Sequence, residues 1–228
     1  MKKILLYKRA NHTKKECLTY VAHSKYLLSI AVIVVAYNIV INSVEIVWKD
    51  QLRKLYPETA DYNVYISRLQ AIQGVVAIVM SLGISWLMQC LGWMKTALVT
   101  PLVMLTLGTI FFGALLFQEP IVIAVFVGTV QNCMSKACKN SFFDTTKEMA
   151  YIPLDDESKL KGKAAIDGIG ARLGKSGASL IHQGVLILFA TISASVAYIG
   201  ILQLLALLLW IVAIRYLGTR EKKVPEMA

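Results

Sequence analysis

The chain has 228 residues, is 57% hydrophobic and carries a formal net charge of +10 at pH 7, with a mean hydropathy of +0.60. A soluble domain is nearer about 45–50% apolar, so this composition excludes an ordinary soluble globular fold. The apolar runs are of helix-spanning length, and the chain is predicted to be an all-α integral membrane protein.

A basic tail, residues 1–24, opens the chain, and its apolar stretch is too short for the core of a signal peptide. The first span is predicted from about Lys25 to Trp48. On it Asn38, Asn42, Glu45 and Lys49 fall within about 60° of one another. Trp48 suits an interfacial anchor. Glu45, about one turn inside, has two open readings: a cavity or outer-gate carboxylate, or an interfacial acid paired with Lys49 four residues on. Residues 50–66, of mixed charge and holding Pro57, read as a short cap on the outer side.

The second span is predicted from about Ser67 to Leu91, with Gln70, Gly74, Ala77, Ser81 and Ser85 as a helix-packing stripe. A tight LGWMK turn leads to the third, about Lys95 to Phe117, where Pro101 and Gly108 mark a bend. After QEP comes the fourth, Ile121 to Tyr151. The fifth covers about Ala164 to Ile192 and the sixth about Ser195 to Leu217, before a basic tail, residues 218–228. Lys and Arg concentrate on one side of this plan, placing both termini in the cytoplasm. The same charges meet anionic lipid, so the excess of positive charge does not imply nucleic-acid binding.

The fourth span carries the strongest anomaly. Asn132, Lys136, Lys139, Asn140, Phe143 and Lys147 fall within roughly a third of its circumference. A charge at the bilayer centre costs about 2.5–3.5 kcal/mol on insertion scales. Such charges face a water-filled cavity or a partner, and here the implied object is an anion. Lys136 and Lys139 are the deeper pair, while Lys147 lies nearer the cytoplasmic end, where it can snorkel. The fifth span places Asp167 and Lys175 on nearly one face, with Arg172 roughly 60° round. Gly170 and Gly174 form a GxxxG face that Gly177 extends.

Other chemistry is thin. The GKS at 174–176 lacks the glycine spacing of a phosphate loop. Cys17, Cys90, Cys133 and Cys138 form no CxxC and have no histidine at metal spacing, so they read as packed thiols. His182 reads as a hydrogen-bonded structural residue, and Asp155, Asp156 and Glu157 as a solvated turn after Pro153. No catalytic motif is present, and neither a cofactor nor a metal is called for.

The string KNSFFDTTKEMAYIPLDDESKLKGKAAIDGIGARLGKSG, Lys139–Gly177, closely resembles the nucleotide transporters of plastids and obligate intracellular bacteria, the ATP/ADP translocases of the chlamydial and rickettsial kind. NIVINSVEIVWKDQLRKLYPETADYN, Asn38–Asn63, is similar to a second signature of that family. In plan the chain aligns with the C-terminal half of such a transporter. The resemblance implies one six-helix half of a major-facilitator-like fold and exchange of ATP for ADP, or nucleotide import with protons. It implies a bacterial inner membrane. It implies that important charged positions fall on Glu45 and Lys175, with Lys139, Asp144, Lys147, Asp167 and Arg172 as weaker carry-overs. Substrate binding is expected at Lys136, Lys139, Asn140, Arg172 and Lys175, and charge pairing or gating at Glu45, Asp144, Lys147 and Asp167. The N-terminal half has no counterpart here. It comes from a separate chain, or a second copy replaces it, or the chain is a non-transporting remnant or regulatory subunit.

Overall fold

The computed structural model describes residues 19–189 and 192–221. Most of the basic N-terminal tail with Cys17, the last seven residues, and the side chain of His182 lie outside the described residues. The described chain is helical, without a strand among the described residues. The helices are α1 (Lys25–Leu55), α2 (Thr59–Leu116), α3 (Ile121–Cys138), α4 (Asp144–Met149), α5 (Asp156–Ala165), α6 (Ala171–Phe189) and α7 (Ile192–Glu221). Two π-helical segments, Lys139–Phe143 and Ile166–Gly170, join α3 to α4 and α5 to α6. Ile121–Met149 and 156–189 are therefore two long helices, each with one bulge.

Ser24 opens α1, its side chain accepting from the Leu27 amide. The helix does not stop at Trp48 as predicted. It runs on through Leu55, and α2 starts at Thr59. The predicted outer cap is thus mostly helix with a three-residue connection at Pro57. Trp48 is no interfacial anchor: it is buried, and its indole N–H donates to Thr129 Oγ1 at 3.1 Å. The helix continues past the tryptophan through polar residues, and the ring is buried with Val125 of α3 in one apolar cluster.

The run α2 contains one break. Gly92 has φ 76° and ψ 171°, a left-handed backbone that favours glycine. Leu69 and Phe111, 42 residues apart, would be about 63 Å apart on a straight helix, yet both belong to one buried cluster. Gln73 on the first arm donates to Asn132, while Gln131, the residue before it, donates to Met104 on the second arm. The two arms therefore fold back as a hairpin at the predicted LGWMK turn. Trp93 at its tip donates to the Thr146 carbonyl at 2.9 Å. Pro101 stays inside the helix, and the break lies at Gly92, not at Pro101 or Gly108.

Four described helical runs are long and apolar enough to cross a membrane: Lys25–Leu55, Thr59–Leu116 with its hairpin, Ile121–Met149 and Ser195–Thr219. The predicted fifth span falls on Ile166–Gly170 and α6, which is not among them. Its first half holds Asp167, Arg172 and Lys175, which lower its hydropathy. The acidic run after Pro153 is more than a turn. Asp155 caps α5, accepting from the Ser158 amide at 3.0 Å, and Asp156 and Glu157 sit in the first turn, where the helix dipole favours anions.

α1 is the central helix, packed on α7, α6 and α3. Toward its N-terminal end Leu27, Ile30, Tyr37, Phe143, Trp210 and Leu217 share one core. Toward its C-terminal end Val47, Trp48, Leu52, Phe111, Val125 and Ile199 share another. Cys133 and Cys138 are buried free thiols, and Cys90 is exposed.

Of the predicted small-residue face on α6, one position makes the close approach. A Cβ on Gly174 would lie 2.7 Å from Asn38 Cβ and 3.1 Å from the Val35 carbonyl oxygen of α1. Gly170 and Gly177 meet nothing of another helix within 4 Å. Gly174→Ala should therefore destabilise the purified protein by about 1–3 kcal/mol, because backbone must move. Gly177→Ala should be neutral or slightly stabilising through helix propensity. Thermal unfolding in detergent checks both, and equal midpoints for the two variants would remove the close-approach argument.

Candidate functional site

A cleft of about 960 Å³ opens between α1, the first arm of α2, the bulged α3–α4 helix and the start of α6. It is at the upper end of the size of ordinary ligand sites. α1 contributes Asn38, Asn42 and Glu45 at the 3–4 residue spacing of one helix face. Lys49, the fourth member of that stripe, does not line the cleft. The α2 arm adds Gln70, Gln73 and Gly74, so part of its stripe faces the cleft while Ala77 and Ser81 pack on Ser141.

The bulged α3–α4 helix supplies most of the charge. Lys136, Lys139, Asn140, Asp144, Lys147 and Glu148 all line the cleft. On a regular α-helix, residues five apart lie about 140° round from one another. Within the π segment the Asp144 amide donates to the Lys139 carbonyl, an i→i+5 bond that stacks the two residues. Lys139 Nζ and Asp144 Oδ2 consequently meet at 2.9 Å. The second bulge has the same bond, Ala171 amide to Ile166 carbonyl, and places Asp167 beside Lys147 Nζ at 3.0 Å.

The lining holds four lysines, at 136, 139, 147 and 175, and four carboxylates, at 45, 144, 148 and 167. The formal charges of these eight groups cancel. Lys136 Nζ lies 3.5 Å from Glu45, which holds Lys49 closer, at 2.8 Å. Lys147 is shared between Asp167 and Glu148, the latter at 3.6 Å. Its side chain is only 13% exposed, so it is built into a helix–helix junction and does not snorkel. Lys175 is exposed and lines the cleft without an ion pair among the described residues. Beyond the spanning segments, Lys163 donates to Glu148, and that hydrogen bond holds its ammonium above the ordinary lysine range.

Tyr37 and Phe143 also reach the cleft. Their rings stack on each other, 4.5 Å between centroids, and each stands edge-on to Trp210. They form a packed aromatic floor.

Of the expected site residues, Glu45, Lys136, Lys139, Asn140, Asp144, Lys147, Asp167 and Lys175 converge on this one cleft. Arg172 does not: it is exposed and outside the lining, because its offset from Lys175 turns it off the cleft face. Asn132 is buried beside the cleft and holds Gln73. Sequence reasoning missed Gln73 and Glu148. Glu148 had no helical-stripe signal, since its second partner is Lys163 across a turn.

An all-helical bundle with apolar helices of spanning length around a cleft of lysines and carboxylates defines an integral membrane protein with a charged interior cleft. The family model of the TLC ATP/ADP transporters matches residues 2–220, and the chain belongs to that family. It is 43% identical over 225 residues to ADP,ATP carrier protein 2 of Chlamydia trachomatis, covering 92% of this chain and 42% of that one. It is 42% identical over 215 residues to ADP,ATP carrier protein 2 of Chlamydia pneumoniae, covering 87% and 39%. The plastidic ATP/ADP-transporter of Solanum tuberosum is 39% identical over 221 residues, covering 92% of this chain and 35% of its own. The chain thus spans about two-fifths of the length of the curated relatives it matches. No solved structure matches it.

The Lys147–Asp167 junction makes a stability prediction. Lys147→Gln leaves Asp167 unpaired, and Asp167→Asn leaves Lys147 with only the longer Glu148 contact; each should cost about 1–2 kcal/mol, discounted for the partial exposure of Asp167. The double variant should recover most of the loss, read as a coupling energy from thermal unfolding. Additive losses would show that the pair is not coupled.

Proposed function

We propose that the chain is the C-terminal half of a membrane carrier that exchanges ATP for ADP by alternating access. Six crossings are assigned: α1, the two arms of α2, the bulged α3–α4 helix, the helix leading through α6, and α7. Both termini lie in the cytoplasm, and the membrane is a bacterial inner membrane. Membership of the family, and the ADP,ATP carriers and ATP/ADP-transporter among its chlamydial and plastidic relatives, support the substrate class.

The observation that carries the reading is Lys175, a lysine without an ion pair among the described residues, in a cleft whose other three lysines are paired. An unpaired cation in a low-dielectric cleft attracts a polyphosphate more strongly than it would in water. Lys136, Lys139 and Asn140 lie on the facing bulged helix and contribute further contacts to the phosphates. Glu45, Asp144, Lys147 and Asp167 keep the empty cleft neutral and exchange partners as the halves rock. In such carriers the substrate sits near the midplane between two repeats. The second wall is a further six-helix half, or a second copy of this chain. No chemical step is involved, and neither a cofactor nor a metal takes part.

The test is uptake of labelled ATP into liposomes loaded with ADP, with the chain alone and with an N-terminal half of a relative supplied. Exchange is expected to need internal ADP, whereas accumulation without it, driven by a pH gradient, indicates proton symport. Uptake of labelled phosphate but not ATP would reject the nucleotide assignment. Lys175→Gln should lower exchange at least about tenfold with insertion intact. Glu45→Gln should lower it as well, and wild-type rates in either variant would remove that residue from the site.

A further inference from the structure

The four carboxylates of the cleft fall into two kinds. Glu45 is held closer by Lys49 than by Lys136, at 2.8 against 3.5 Å, and Glu148 is held by Lys163. Lys49 and Lys163 both lie outside the cleft lining. These two acids therefore keep a counter-charge when a cleft lysine is taken from them. Asp144 and Asp167 make no second ion pair among the described residues. Each is paired with a single cleft lysine, Lys139 and Lys147 respectively.

The two remaining pairs differ in what opening them costs. Lys147–Asp167 joins two helices through a lysine that is 13% exposed. Lys139–Asp144 lies within one helix, with side chains 38% and 39% exposed. It can open by side-chain rotation alone, while the helices stay packed as they are. We propose that Asp144 is the internal competitor for Lys139: it occupies the lysine in the empty cleft, opposes the phosphate that displaces it, and retakes the lysine on release. Asp144 thereby sets nucleotide affinity and release rate. This rests on the nucleotide-carrier reading above. The π bond that stacks Lys139 on Asp144 gives the competitor its position, so any anion reaching Lys139 must displace a carboxylate fixed one residue past the bulge.

A merely structural pair predicts weaker binding when either member is lost. A competitor predicts the opposite sign for the acid. In the purified full chain in lipid nanodiscs, titrated with a fluorescent ATP analogue, Asp144→Asn should lower Kd about tenfold, the scale of one nearby unit charge at partial screening. It should also steepen the salt dependence and slow ATP/ADP exchange. Lys139→Gln should raise Kd, and in that background Asp144→Asn should no longer tighten binding. Asp144→Glu should restore affinity toward that of the parent chain. An unchanged or higher Kd in a folded Asp144→Asn protein overturns the proposal, as does equal tightening in the Lys139→Gln background. Should Asp144→Asn lose its unfolding transition, parent-like affinity in Lys139→Gln overturns it alone. Absence of saturable binding in the parent chain, both alone and with an N-terminal half of a relative supplied, is a distinct result, which removes the carrier reading and this proposal together.

Discussion

The organising constraint of this molecule is that charge placed among spanning helices must be compensated there. Four lysines and four carboxylates line one cleft and cancel. An isolated charge at such depth is costly, whereas a paired one that also meets water is tolerable. The bundle satisfies the constraint by bringing Glu45 of α1 and Asp167 of the second bulged helix against lysines of the first, which carries Asp144 and Glu148 itself. Packing of α1 against α6, α7 and α3 is what holds those acids in place.

The two π segments are the means by which the cleft is wired. Each adds a residue to a turn and shifts the phase of everything after it. The first lets Lys139 and Asp144 share one side of the helix, which a regular helix forbids for residues five apart. The second sets the direction of Asp167 toward Lys147. A helix without these bulges would carry the same residues in a different order around its axis. The cleft is thus as much a product of backbone irregularity as of side-chain choice.

Neutrality also moderates the affinity of the proposed nucleotide site. A cleft of unpaired lysines would hold a polyphosphate tightly and release it slowly. With three lysines occupied by carboxylates, an arriving anion exchanges partners, and the net gain is smaller than the gross attraction. In the proposed carrier Lys175, exposed and without an ion pair among the described residues, supplies the attraction that does not have to be won from an acid. A carrier has to release what it binds, and moderate net affinity suits that requirement.

Much of this was legible in the residues. Apolar runs of spanning length announced the helices, and the LGWMK turn announced the hairpin at Gly92. The 3–4 spacing of Asn38, Asn42 and Glu45 announced one face of α1, because a single helix obeys one period. What the sequence alone determined is local: which segments are helical and apolar, and which charges a membrane would not accept unpartnered. Which lysine meets which acid was decided by tertiary structure. Lys147 looked like a snorkelling end residue and proved a junction with Asp167, twenty positions on. Trp48 looked interfacial and proved buried against Thr129. Arg172 was expected beside Lys175 and does not line the cleft. The reason is the same in each case: the period of a helix locates a side chain around its own axis. Only the packing of helices, and the phase shift at each bulge, says what stands opposite.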